Sequence, residues 1–229
     1  MTFGSTPISP NTMSRIVRVA AAQIGAVNAW DTREATMKRM KTLLRDAADQ
    51  GAKLVLFPEI AFTTFFPRYF ILDPNELDSW FEHGDVRTAP NTKPIFDMAQ
   101  ELNVDICVGF AEATDDGKHF NSCVYFHAAT GSILSKYRKI HLPGDFEPLP
   151  NAKTNQLEKR YFLPGDLGFN AFRVPGLLPA DGKQVQEQQQ LRDPILGMMI
   201  CNDRRWAEAW RVLGLQGIYA LYARRKTPR

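Results

Sequence analysis

The period of the apolar positions changes along the chain, and each change marks an element. Residues 16–24 (IVRVAAAQI) open with β-branched side chains and continue with little polar interruption, which predicts a strand buried on both faces. Asp31 followed by Glu34 resembles a capping-box start, and Met37, Met40, Leu44 and Ala47 then recur at helical spacing until Gly51 supplies a stop. Residues 53–57 (KLVLF) return to a strand. The opening is therefore β-α-β, a unit that favours parallel neighbours in a sheet covered by helices. Residues 94–103 read as a helix, 104–111 as a strand, and 121–127 with 133–137 as two strands around a turn at 128–131. Further on, Ile195, Leu196, Met198, Met199 and Ile200 form a short apolar run without helical caps, which favours a buried strand. Asp203 and the spacing of Trp206, Trp210 and Val212 place a helix just beyond it.

Two stretches break this alternation. Residues 145–168 are rich in Pro, Asn, Lys and Gly, and so long an irregular segment in a compact domain is often functional. Residues 175–194, with their run of glutamines, lack periodicity and read as an exposed surface insertion. No flexible linker divides the 229 residues, so one domain is expected over 16–229, preceded by a disordered tail at 1–15. A formal charge of +3 from 28 basic and 25 acidic residues is too balanced to imply nucleic-acid binding, and Arg224, Arg225, Lys226 and Arg229 read as a solvated end. Cys107, Cys123 and Cys201 are odd in number and widely spaced, which argues against a disulfide framework and for a reducing compartment. His83, His119, His127 and His141 lack zinc-ligand spacing with them, so no metal is expected. Residues 1–15 hold no apolar core of a signal peptide and no stretch reaches transmembrane length, so the expectation is a cytoplasmic protein without a membrane partner.

Three residues carry candidate chemistry. Cys201 sits between the last apolar run and the start of a helix, where oriented backbone N–H groups and the cations of Arg204 and Arg205 favour a thiolate. Taken alone, a cysteine at a strand end is more often an inert core residue. Cys107 and Cys123 fall inside predicted strands and read as core, as does His127 at a strand end. Glu59 follows a strand and precedes Phe62, Phe65, Phe66, Tyr69 and Phe70; burial there suits a carboxylate to proton transfer, against the alternative of a surface loop glutamate. The run KYRKIHLPG at 136–144 is either a solvated charged edge or the source of a cation, Lys139, able to stabilise a developing oxyanion.

Four stretches, FPE at 57–59, KYRKIHLPG at 136–144, LEKRYF at 157–162 and ICNDRRW at 200–206, together resemble the carbon–nitrogen hydrolase (nitrilase) superfamily. Within it, FPEIAFTTFFPR and CNDRRWAEAWRVLGL are similar to the N-carbamoyl-D-amino-acid amidohydrolases. The resemblance implies an α/β fold, the α-β-β-α sandwich of that superfamily, and a catalytic triad at Glu59, Lys139 and Cys201, with Glu158 as a further glutamate beside it. It implies that Asn202, Arg204 and Arg205 bind substrate, the arginines through forked contacts to a carboxylate, and that His141 lies beside the pocket. Gln156 stands where that subfamily carries a histidine. The implied reaction is hydrolysis of an N-carbamoyl (D-)amino acid to amino acid, ammonia and carbon dioxide, without cofactor or metal; the implied partner is a small molecule bearing a carboxylate. Members of the family continue past the equivalent of Arg229, so the resemblance also implies a sandwich incomplete at its C-terminus, which weighs against a family-like homo-oligomer. The alternatives are another amidase, a β-ureidopropionase or a nitrilase of the same superfamily, and, from a different class, a catalytically inactive fragment.

Overall fold

The computed structural model describes residues 16–152, 154–178 and 193–223. Its first sheet begins with the parallel strands β1 (Val19–Ala21) and β2 (Leu54–Leu56), joined by helix α1 (Arg33–Asp49). A short helix α2 (Pro74–Asp78), strand β3 (Glu82–His83) and helix α3 (Lys93–Leu102) lead to the long strand β4 (Asp105–Ala113), which pairs in parallel with β2 at one end and β3 at the other. Strands β5 (His119–His127) and β6 (Ser132–Arg138) complete the sheet as an antiparallel meander. After the one-turn helix α4 (Glu158–Tyr161), strands β7 (Ala171–Arg173), β8 (Ile195–Ile200) and β9 (Tyr219–Ala223) form a second sheet, with α5 (Ala207–Leu215) between the last two.

The two-residue period of the strands distributes their side chains between two interiors. Ile106, Val108 and Phe110 of β4 and Val124 and Phe126 of β5 face Met40 and Leu44 of α1 and Ile95, Phe96 and Ala99 of α3. Cys107, Cys123 and Tyr125, one step out of phase, face Leu196, Met198 and Ile200 of β8 in the space between the sheets. Met199 points the other way, onto Ala209 and Leu213 of α5. The order is helix, sheet, sheet, helix, the α-β-β-α sandwich the sequence resemblance implies. Each fully buried aliphatic or aromatic side chain in these interiors contributes about 1.5–3 kcal/mol relative to exposure. Both Cys107 and Cys123 are core residues, as their strand positions predict.

Boundaries depart from the sequence expectations where chemistry outside the apolar period decides them. Thr32, not Asp31, caps α1: its side-chain oxygen accepts the Ala35 N–H, while Asp31 is engaged by the Asn28 N–H and Arg39. The first strand is confined to three residues of the apolar run, and the three-residue β7 has no sequence signal of its own; it exists because β8 offers it a partner. The glutamine-rich segment reads as exposed, yet its described flanks are anchored: Leu177, Leu178 and Asp193 are buried, and Asp193 accepts the Gly176 N–H. Residues 1–15, 179–192 and 224–229, and the expectations attached to them, lie outside the described residues.

One close approach ties the first sheet to the loop after β2. A Cβ on Gly109, in β4, would lie 2.8 Å from Glu59 Cα, 2.9 Å from Pro58 O and 3.0 Å from Ile60 N. The Gly109 carbonyl also accepts the Ala61 N–H at 2.7 Å. All three clashing atoms are backbone and cannot rotate away, so Gly109→Ala is expected to destabilise the fold by about 1–3 kcal/mol. Denaturant unfolding of the variant beside the parent protein measures this; an unchanged midpoint would show that the loop is free to retreat.

Candidate active site

Strand phase and tight turns bring the candidate residues to one end of the inter-sheet space. Glu59 stands just after β2, on the loop pinned to Gly109, and the chain turns sharply behind it at Ile60, whose φ is +47°. Lys139 follows β6; its N–H donates to Asn121 O at 2.8 Å and its carbonyl accepts the Gly165 N–H at 2.9 Å. Glu158 opens α4, preceded by the fully buried Leu157, whose N–H donates to Pro67 O. Cys201 is the first residue after β8, at a left-handed φ of +46° that a non-glycine residue adopts only when its surroundings hold it there.

Lys139, Glu59 and Glu158 have no solvent exposure. The lysine Nζ lies 2.6 Å from Glu59 Oε1 and 2.6 Å from Glu158 Oε2. Asn121 Nδ2 donates to the same two oxygens, at 2.7 and 3.2 Å, and Gln156 Nε2 donates to the other oxygen of Glu158 at 2.8 Å. Glu59 Oε2 is buried and left without a settled partner. Cys201 is half-buried beside this carboxylate, which acts on its thiol both as a charge and as a hydrogen-bond acceptor.

The electrostatics follow from two carboxylates sharing one ammonium out of water. Burial works against a charged Lys139, but Glu59 and Glu158 outweigh it and hold the ammonium protonated well beyond the usual lysine range. Burial and then the charge of Glu59 push Glu158 up to about 7, against the pull of Lys139. Burial and Glu59 likewise push the Cys201 thiol up to about 11, with Lys139 opposing. This corrects the expectation of a resting thiolate. Arg204 and Arg205 are exposed, and the turn after Cys201 is a five-residue 3-10 segment (Cys201–Arg205), with the α-helix starting only at Ala207. Burial, followed by the carboxylate next to the sulfur, outweighs them.

A third buried acid, Asp203, holds the turn. Asp203 Oδ2 accepts the Tyr137 O–H at 2.8 Å and the Ile200 N–H at 2.9 Å, while Oδ1 accepts the His141 N–H at 3.0 Å and lies 2.8 Å from His141 Nδ1. Asn202 Nδ2 donates to His141 O at 3.1 Å, and Trp206 stacks on the His141 ring at 4.7 Å. Arg204 Nη1 donates to Cys201 O at 2.7 Å. The structure thus gathers Glu59, Lys139, Glu158 and Cys201, sets His141 and Asn202 beside them, and leaves Arg204 and Arg205 exposed outside the buried cluster. Sequence reasoning missed Asn121 and the bracing role of Asp203, read only as a helix start. The available signal for Asn121 was its phase, two and four residues before the inward-facing Cys123 and Tyr125. Among the described residues no group of His, Cys, Asp and Glu is arranged to hold a metal ion, and no helix is long and apolar enough to cross a membrane.

A family model described as carbon-nitrogen hydrolase matches residues 18–228. An N-carbamoylputrescine amidase from Solanum lycopersicum is 29% identical over 209 residues, covering 91% of this chain and 58% of the relative. An omega-amidase from Homo sapiens is 28% identical over 183 residues, covering 80% of this chain and 55% of the relative. The chain therefore spans somewhat over half the length of these relatives. A carbon-nitrogen hydrolase from Helicobacter pylori superposes with a TM-score of 0.69 at 25% identity, covering 91% of this chain and 60% of that one. A nitrilase-superfamily member from Saccharomyces cerevisiae shares the fold, with a TM-score of 0.66 at 16% identity over 91% of this chain and 64% of its own.

The raised thiol gives a signed expectation. In native protein Cys201 is labelled by iodoacetamide before the fully buried Cys107 and Cys123, and its thiolate absorbance rises with a midpoint near 11. Glu59→Gln removes the neighbouring negative charge, so the midpoint should fall by about one unit or more. Labelling of Cys107 first, or a midpoint indifferent to Glu59→Gln, contradicts this account.

Proposed function

Since the chain belongs to the carbon–nitrogen hydrolase family, we propose that it hydrolyses a non-peptide C–N bond through a thioester on Cys201. The observation that carries this reading is the buried Lys139 clamped between Glu59 and Glu158 beside a cysteine at a left-handed turn. In the proposed reaction Glu59 accepts the thiol proton on Oε2 as the sulfur attacks the carbonyl carbon of a carbamoyl or amide group. Two of the three Lys139 N–H bonds are taken by the carboxylates, and the third is left for the oxyanion of the tetrahedral adduct. As the adduct collapses, the proton held by Glu59 passes to the departing nitrogen, and ammonia leaves. Water attacks the thioester, giving one proton to Glu59 and the hydroxyl to the carbonyl carbon; that proton returns to sulfur. From a carbamoyl substrate the product is a carbamic acid, which loses carbon dioxide to give the free amine.

The raised proton affinity of the thiol supports general-base activation over a standing thiolate. It restricts attack to the moment when a carbonyl is in place to accept the sulfur.

For substrate class, the neighbouring guanidinium groups of Arg204 and Arg205 support a carboxylate-bearing molecule, and an N-carbamoyl (D-)amino acid is the proposed choice. The similarity to an N-carbamoylputrescine amidase and an omega-amidase favours a second reading, an amidase of broader carbamoyl or amide substrates. Three unpaired cysteines suit a reducing cytoplasm.

Ammonia release by purified protein, offered N-carbamoyl amino acids and neutral amides in parallel, tests the proposal. Cys201→Ala should lower release by at least about a thousandfold. Arg205→Lys keeps the charge but loses the planar fork. It should lower kcat/KM on carbamoyl acids by roughly 10–100-fold and leave neutral amides within about threefold. Equal losses on both substrates make Arg205 structural; no ammonia from any of them favours a non-catalytic fragment.

A further inference from the structure

We propose that Asn121 is the positioning residue that decides which carboxylate oxygen serves as the base, by holding Glu59 and Glu158 on the lysine through one amide. This rests on the reading of Cys201 as nucleophile and Glu59 as its base.

The geometry is reciprocal. Glu59 Oε1 accepts from Lys139 Nζ and Asn121 Nδ2, and Glu158 Oε2 accepts from the same two nitrogens, so two donors and two acceptors close a ring. The backbone of Asn121 takes part as well, because its carbonyl accepts the Lys139 N–H. One residue of β5 thus sets the lysine's main chain and both of the acceptors that its side chain reaches. Glu59 has one oxygen consumed by the ring and Oε2 left over, and that oxygen is buried without a settled partner.

The orientation of the amide is dictated by charge. Turned the other way, it would set its own carbonyl oxygen against two carboxylates. In the orientation observed, Asn121 Oδ1 is buried and has no hydrogen-bond partner among the described residues. A buried, unsatisfied carbonyl is a penalty that an amide serving only the fold has no reason to carry. Here it is offset by two charge-assisted donations into the reacting cluster. Gln156 Nε2 donates to Glu158 Oε1, the oxygen outside this ring.

The charged and titratable groups that meet in this cluster are Glu59 after β2, Lys139 after β6, Glu158 in α4 and Cys201 after β8. Removing the amide donors leaves the negative charge of the cluster less neutralised, so Glu158 and the Cys201 thiol beside it bind their protons more tightly. Asn121→Leu does this by deletion. Asn121→Asp, close to the same shape, does it by adding a third acid to the single lysine.

The test is the pH dependence of two rates, iodoacetamide alkylation of Cys201 followed by peptide mapping, and ammonia release, in the parent protein and both variants. Both substitutions should move the acid limb of each profile to higher pH by about one unit, since a donated bond to a charged group is worth roughly that much proton affinity. A residue needed only for folding would lower the thermal midpoint and the height of the profile while its limb stayed in place. Limbs that coincide with the parent's to within a few tenths of a unit, in whichever variant folds, overturn the proposal; if Asn121→Leu does not fold, Asn121→Asp decides alone. Alkylation needs no turnover, so a parent protein that labels at Cys201 but releases no ammonia defeats the proposed reaction while the labelling profiles still judge Asn121.

Discussion

An ammonium group with no access to water requires its countercharge within hydrogen-bond distance, and everything at this end of the sandwich is arranged around that requirement. Lys139 meets it twice, at 2.6 Å from each of two carboxylates. Desolvating such groups costs several kcal/mol per ion, and a buried ion cluster is weak evidence for stability, since a well-packed apolar replacement often serves the fold as well or better. The excess of one carboxylate makes the cluster still less suited to a purely structural part. Its surplus negative charge also raises the proton affinity of Glu158 and of the Cys201 thiol. Perturbed groups of this kind, gathered where two sheets end, support the proposed reaction site.

The scaffold supplies the precision such a cluster needs. Each charged residue follows or opens a regular element, and backbone hydrogen bonds at that residue or within two of it fix its Cα. The elements themselves lie at contact distances that admit no extra atom: a Cβ on Gly165 would come within 1.9 Å of Arg138 O, and one on Gly144 within 1.7 Å of Gln156 O. Asp203 adds a second tier, binding the strand end, the turn and the segment after Lys139 through four bonds to its two oxygens. The left-handed backbone at Cys201 is held by this tier, because the turn cannot relax without breaking the Ile200 N–H bond to Asp203.

Much of this was legible in the sequence, and the reasons are specific. The β-α-β opening could be read because Met37, Met40, Leu44 and Ala47 keep helical phase between two apolar runs, and the burial of Leu44 and Met40 confirms that face. Glu59 and Cys201 could be nominated because each stands where an apolar run ends, and Lys139 because it lies in a run of cations just before a Pro-Gly turn. What local sequence does not contain is the neighbour across the sheet. The protonation state of Cys201 was misread from the helix start and the arginines adjacent in the chain, whereas what raises its proton affinity, burial between the sheets and then Glu59, arrives with the fold. Asn121 carries no motif, only a strand phase, and its significance appears once the lysine and both glutamates are seen to meet it. The three residues of β7 became a strand through pairing with β8 alone.

The raised proton affinity of Cys201 has a bearing on durability. Peroxide and related oxidants attack sulfur as the anion, and the ladder from sulfenic to sulfonic acid begins there. In the proposed reaction the sulfur stays protonated until Glu59 takes its proton as a carbonyl arrives, so such reagents meet little of the form they consume. On that proposal the buried, carboxylate-flanked thiol is to the nucleophile what a protective cap is to a blade: the edge is present throughout, and uncovered only in use.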